Sequence, residues 1–127
     1  MQEASPQTAA WIAENWRRVQ AEVAAAATDA GRDPSDVLII GVSKYVDIDL
    51  TTQLVEAGCS VLGENRPQNL WNKADLLRAA HRDVDWHLIG HLQRNKIRRT
   101  LPYLSWLHSL DSLRLAEALN SELATAN

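Results

Sequence analysis

The sequence predicts an α/β fold in which a leading helix precedes parallel βα repeats. Short aliphatic runs alternate with segments of helical period along the 127 residues. Polar or ionisable residues follow each apolar run in turn. No low-complexity stretch or linker interrupts the rhythm, so residues 1–127 read as one domain.

Thr8 to Ala30 opens the pattern with Ile12, Trp16, Val19, Val23 and Ala26 on one stripe. The alanine-rich VAAAATDA suits a helix, and Gly31 supplies its C-terminal stop. Asp33-Pro34 turns the chain into Val37–Val42, an unbroken apolar run expected to form a parallel strand buried on both faces. A helix over about 49–57 ends at Gly58 and is followed by the short strand SVLG. Pro67 opens the next helix, which runs to Ala80 with Leu70, Ala74 and Leu77 inward. VDWHLIG is a third strand, Gln93–Leu101 a third such helix, and SWLHSL a fourth strand. Ser112–Ala124 closes the pattern, with Leu115, Ala116, Leu119 and Leu123 facing inward.

Composition excludes several roles. Thirteen basic against sixteen acidic residues give a net charge of −3, so charge lends no support to nucleic-acid or membrane-surface binding. No apolar run approaches the ~20 residues a spanning helix requires, and the opening MQEASPQ lacks a signal peptide's apolar core. A single cysteine, Cys59, precludes an internal disulfide framework and favours a reducing, cytoplasmic setting; it is expected to be a small buried hydrophobe.

The polar residues after the strands are Ser43-Lys44, Glu64-Asn65, Gly90-His91 and His108-Ser109. Ligands of α/β folds bind at the carboxyl ends of parallel strands, so four such positions point to a site. Lys44 carries the chemistry: an amine drawn into an apolar setting loses hydration and becomes a nucleophile for an aldehyde. The competing reading is a lysine that snorkels into water or pairs with Asp47. Glu64 can orient a neighbour. Asn65 can both donate and accept toward a heteroaromatic ligand, although local sequence alone favours it as the cap of the following helix.

His87 and His91 are four apart, a metal-binding spacing on a helix, but a strand running into a loop separates them, and a metal site is not expected. His91 and Gln93 belong to the loop. NKIRR reads as a solvated helix face rather than a phosphate or RNA contact. In HSLDS, Ser109 is a small donor and acceptor at the same end, while Asp111 or Ser112 caps the last helix. No GxSxG elbow supports a serine hydrolase.

VSKYVD, LGENRPQNL, WHLIGHLQRNK and HSLDS, in that order after a leading helix, resemble the YggS/PROSC family of pyridoxal phosphate homeostasis proteins. The resemblance runs from about Ile12 to Leu119. It implies an alanine racemase-like TIM barrel that binds pyridoxal 5'-phosphate (PLP). By this resemblance Lys44 holds the cofactor as a Schiff base, Asn65 lies near its ring, and His91 and Ser109 line the same mouth. The family commonly has Thr and Pro after the lysine, where this chain has Tyr45, Val46 and Asp47, and Arg66 replaces an aromatic.

A closed barrel of this type needs about 250 residues. The chain therefore corresponds to the N-terminal half of the barrel, and the loops with which the family holds the cofactor phosphate belong to the other half. Such a half-barrel is expected to dimerise, to pair with the missing C-terminal half, or to be partly disordered. The function implied is PLP homeostasis: a carrier that holds the cofactor without substrate turnover. The alternatives are a PLP-dependent amino-acid racemase or decarboxylase, an aldolase-like lyase using Lys44 without PLP, and a non-catalytic half-barrel interaction domain.

Overall fold

A computed structural model describes residues 5–126; Met1–Ala4, most of the segment weighed as a signal peptide, and Asn127 lie outside them. Helix α1 (Pro6–Asp29) leads. Four βα units follow: β1 (Gly41–Val42) with α2 (Ile48–Glu56), β2 (Val61–Glu64) with α3 (Pro67–Ala79), β3 (Asp85–Leu88) with α4 (Ile97–Thr100), and β4 (Leu104–Leu107) with α5 (Leu113–Ala126). The strands form one parallel sheet in the order β1-β2-β3-β4. Sequential order without reversal, together with right-handed crossovers, sends every connecting helix to the same face. This is the winding of a barrel, not of a doubly wound sheet.

Local chemistry sets the helix ends. The Ser5 hydroxyl accepts from the Thr8 N–H, and Pro6 occupies the first turn, where its missing N–H is harmless. At the far end Gly31 adopts φ 73°, and the N–H groups of Gly31 and Arg32 return to the carbonyls of Thr28 and Ala27. That pair of hydrogen bonds is a Schellman cap. Helix α2 ends the same way through Gly58, and α3 does so through His81 at φ 58°, a left-handed residue without glycine's freedom. Ser112, not Asp111, caps α5 by accepting from the Leu115 N–H.

The helix-covered face holds the core. Leu62, Trp86 and Leu88 from the strands pack with Leu70, Trp71, Ala74 and Leu77 of α3, Ile97 of α4 and Leu115 of α5. Cys59 is wholly buried beside them, as expected. Burial pushes its thiol above the ordinary range, so it stays protonated. The Trp71 indole N–H donates to Thr100, whose hydroxyl bonds back to the Lys96 carbonyl, joining α3 to α4.

Three expectations are corrected. Val37–Val42 is not a strand buried on both faces: only Gly41–Val42 pair with β2, and Leu38 and Val42 are exposed. β1 is an edge, and nothing among the described residues covers its second face. The helix expected over 93–101 is a 3₁₀ turn, Arg94–Lys96, followed by one α-turn. Leu92 and Ile97 are both buried, and five residues apart they would point about 140° away from each other on a continuous α-helix. Leu123 of α5 is exposed rather than inward, since the one-turn α4 is too short to cover the end of α5.

Candidate functional site

The carboxyl ends of the strands carry the residues singled out by sequence. Beyond β1, the Val46 N–H donates to the Ser43 carbonyl and closes a turn with Lys44 and Tyr45 at its centre. Tyr45 sits at φ 65°, a conformation costing a side-chain-bearing residue about 1 kcal/mol. Such strain gathers at functional loops. The Lys44 ammonium lies 5.7 Å from the Tyr45 ring centre, and the Tyr45 hydroxyl accepts from the Asn65 side-chain amide at 3.3 Å. Lys44, Tyr45 and Asn65 thus form one cluster across the ends of β1 and β2.

Two expectations change here. Asn65 does not cap α3: its amide is turned toward Tyr45, and the cap position belongs to Arg66, whose guanidinium has no acceptor to offer the backbone N–H groups. Lys44 is exposed and not desolvated. The turn lifts it off the end of β1, and no element among the described residues roofs that face. Its amine is accessible to solvent.

Gly90 brings the next loop in. A Cβ there would stand 2.0 Å from the Asn65 carbonyl oxygen, so only glycine allows the loops after β2 and β3 to touch. Asn65, Arg66, Gly90, His91 and Lys96 line a hollow of about 400 Å³ above that contact. His91 is mostly exposed, its imidazole 3.9 Å from the Asp111 carboxylate. The Ser109 hydroxyl donates to the Gly90 carbonyl, tying β4 to the same loop. The structure therefore brings Asn65 and His91 to one hollow, with Ser109 bracing its floor. Lys44 meets Asn65 through Tyr45, not through His91.

His87 and His91 part company, as the strand-to-loop reading implied. His87 lies on the sheet face away from the helices, bonded to the His108 ring at 2.9 Å and stacked on Trp106. Burial, and then the neighbouring His108, hold His87 below the ordinary imidazole range; Asp85 opposes them weakly. In NKIRR, Arg98 pairs with Glu122 and Arg99 lies over the Trp71 ring at 4.3 Å. Arg98 is otherwise in solvent, as a solvated helix face implies, while Arg99 covers the Trp71 ring.

One residue escaped the sequence reading. Lys73 of α3 pairs with the wholly buried Glu64 and donates to the Ser43 carbonyl at 2.8 Å. The available signal was its position. Lys73 falls between Leu70 and Leu77 on the inward stripe of α3, where a charge calls for a partner.

No family model matches the chain. It is 34% identical over 112 residues to the pyridoxal phosphate homeostasis protein of Escherichia coli (strain K12), covering 87% of this chain and 48% of that protein. It is 37% identical over 111 residues to the protein of the same name from Pseudomonas aeruginosa, covering 87% and 47%. Among solved structures it resembles PipY of Synechococcus elongatus PCC7942 with PLP bound, at a TM-score of 0.77 and 32% identity over 91% of this chain and 49% of that one. The chain spans about half the length of the curated relatives it matches.

Proposed function

On the premise that this chain is homologous, over most of its length, to the pyridoxal phosphate homeostasis proteins, we propose that it is the Lys44-bearing half of a PLP-holding barrel. The observation that carries this reading is the Lys44–Tyr45–Asn65 cluster at the carboxyl end of adjacent parallel strands. Its residues fit the aldehyde and ring of the cofactor. Lys44 offers an accessible amine, and the Asn65 side-chain oxygen is buried with no hydrogen-bond partner among the described residues. When bound, the cofactor would supply an aldehyde with which the Lys44 amine could condense, with loss of water.

The chain's own residues orient and hold. Asn65 is fixed by Tyr45 on one side and by its backbone contact with Gly90 on the other, leaving its oxygen to accept from the ligand. Ser109, by bracing Gly90, keeps that contact closed, and His91 borders the opening. A reversible imine would let the cofactor be both held and released, and the likeness to pyridoxal phosphate homeostasis proteins supports a carrier role without turnover. The single buried thiol supports a reducing, cytoplasmic setting. The uncovered sheet face and the free edges β1 and β4 are closed by four further strands, from the rest of a longer chain or from a second copy.

The test is to add PLP, reduce with borohydride and map the adduct by mass spectrometry. One pyridoxyl group on the Lys44 peptide is expected; label spread evenly over the lysines would overturn the reading. Incubation of the loaded protein with single amino acids should give neither stereochemical exchange nor CO₂. Sedimentation at micromolar concentration tests closure: a monodisperse monomer of the 127-residue chain would leave a second copy out of it.

A further inference from the structure

Beneath the loops that carry Lys44 and Asn65 lies a charge pair that stability alone does not explain. Glu64, the last residue of β2, is wholly buried. Its partner Lys73 reaches up from α3 with only 12% of its side chain exposed. The Lys73 ammonium donates to the Ser43 carbonyl and is ion-paired with the Glu64 carboxylate, whose oxygens are buried with no hydrogen-bond partner among the described residues. Removing two charges from water offsets most of what their attraction returns, so an apolar pair of similar volume would hold the helix to the sheet equally well.

Position supplies the missing reason. Ser43 immediately precedes Lys44, and Glu64 immediately precedes Asn65. One ammonium therefore contacts the residue before each of the two that define the cluster, Ser43 through its backbone carbonyl and Glu64 through its carboxylate. The Ser43 carbonyl also accepts the Val46 N–H that closes the Lys44–Tyr45 turn, so Lys73 fixes the orientation of the carbonyl on which that turn is built. The Glu64 carbonyl accepts the Ile89 N–H, and the Ser43 N–H donates to Gly63, so a shift at the pair moves the loops of β1, β2 and β3 together.

We infer that Lys73 and Glu64 are positioning residues, a clamp that sets the registry of Lys44 against Asn65; the inference rests on Lys44 being the aldehyde-binding lysine. Lys73 is not itself the reacting amine. Its ammonium is held between the Ser43 carbonyl and the Glu64 carboxylate, whereas the Lys44 side chain is exposed.

The clamp is tested in the full chain with Lys73→Met, Lys73→Arg and the double variant Glu64→Gln/Lys73→Met. The double variant leaves no unpaired buried charge, so it reports on positioning even if Lys73→Met alone fails to fold. Amide exchange, measured without cofactor, should quicken about tenfold at Val46 and Ile89 in the double variant while core amides such as Leu88 are unchanged. Pyridoxyl labelling of Lys44 should fall about fivefold, with Lys73→Arg restoring most of it. Wild-type exchange at Val46 together with wild-type labelling in the double variant would overturn the clamp, as would label found on Lys73 in the parent chain. If parent Lys44 takes no label while the exchange result holds, the clamp stands as the device ordering these loops and the aldehyde reading falls.

Discussion

The two faces of the sheet are built from the same strands yet behave as different materials. On the helix side, Leu62, Trp86 and Leu88 are closed in by α3 to α5. On the other side, Leu38, Ile40 and Val42 line up with Gly63, His87 and Trp106; the centre is covered by its neighbours and the two edges are open. Val42 is 49% exposed and Trp106 61%. The first face satisfies itself within the chain. The second leaves apolar side chains exposed beside a polar rim, a surface of the kind that further packing would cover.

The contrast can be broken most severely at Leu88. Leu88→Ala removes a wholly buried side chain from the finished face and should destabilise the chain by about 2–5 kcal/mol in denaturant unfolding. Val42→Ala on the unfinished face is its control and should lie within about 0.5 kcal/mol of the parent. Equal losses at the two positions would show that both faces are packed alike.

Gly90→Ala should have the next largest effect. Its new methyl would collide with the Asn65 carbonyl, and separating the loops should cost about 1–3 kcal/mol and lower pyridoxyl labelling of Lys44 in step. A variant that keeps both stability and labelling would mean the contact does not organise the rim.

His87 gives a smaller, pH-dependent effect. Its imidazole is held below the ordinary value near 6.5, so as pH falls the unfolded chain takes up this proton before the folded chain does. The expected contribution is flat above about pH 6.5 and becomes destabilising below it, down to the folded value. His87→Gln should remove that acid-side loss, as read from unfolding midpoints at about pH 7.5 and pH 5.5. An unchanged pH slope would show that His87 is solvated in solution.

Trp106→Lys should have the least effect on folding, since the indole is mostly in water. It sharpens the contrast from the other side by weakening any association through the open face, as followed by sedimentation. Undiminished association would place the contact elsewhere on the chain.

How far the fold could be read depended on whether neighbours in sequence were also neighbours in space. Gly31 and Gly58 announced two helix ends because a left-handed residue is a local requirement, whereas His81 performs the same task with no such signature. Lys44 and Asn65 were visible because each follows an apolar run. That they meet through Tyr45 was not, since the contact crosses 20 residues of chain. Lys73 went unread for the same reason: its partners Ser43 and Glu64 lie 30 and 9 positions away and are joined only when α3 folds back on the sheet.

The amino-acid order alone settled the alternation of helix and strand, the parallel sheet and the rim positions of the polar residues, because periodicity and turn chemistry act over a few residues. Tertiary structure alone decided that only Gly41–Val42 pair as an edge strand, that Lys44 stands in solvent, that Asn65 turns to Tyr45 instead of capping α3, and that a half-buried lysine contacts both Ser43 and Glu64. Burial and orientation are set by what packs against a residue from elsewhere in the chain, and no local pattern carries that information.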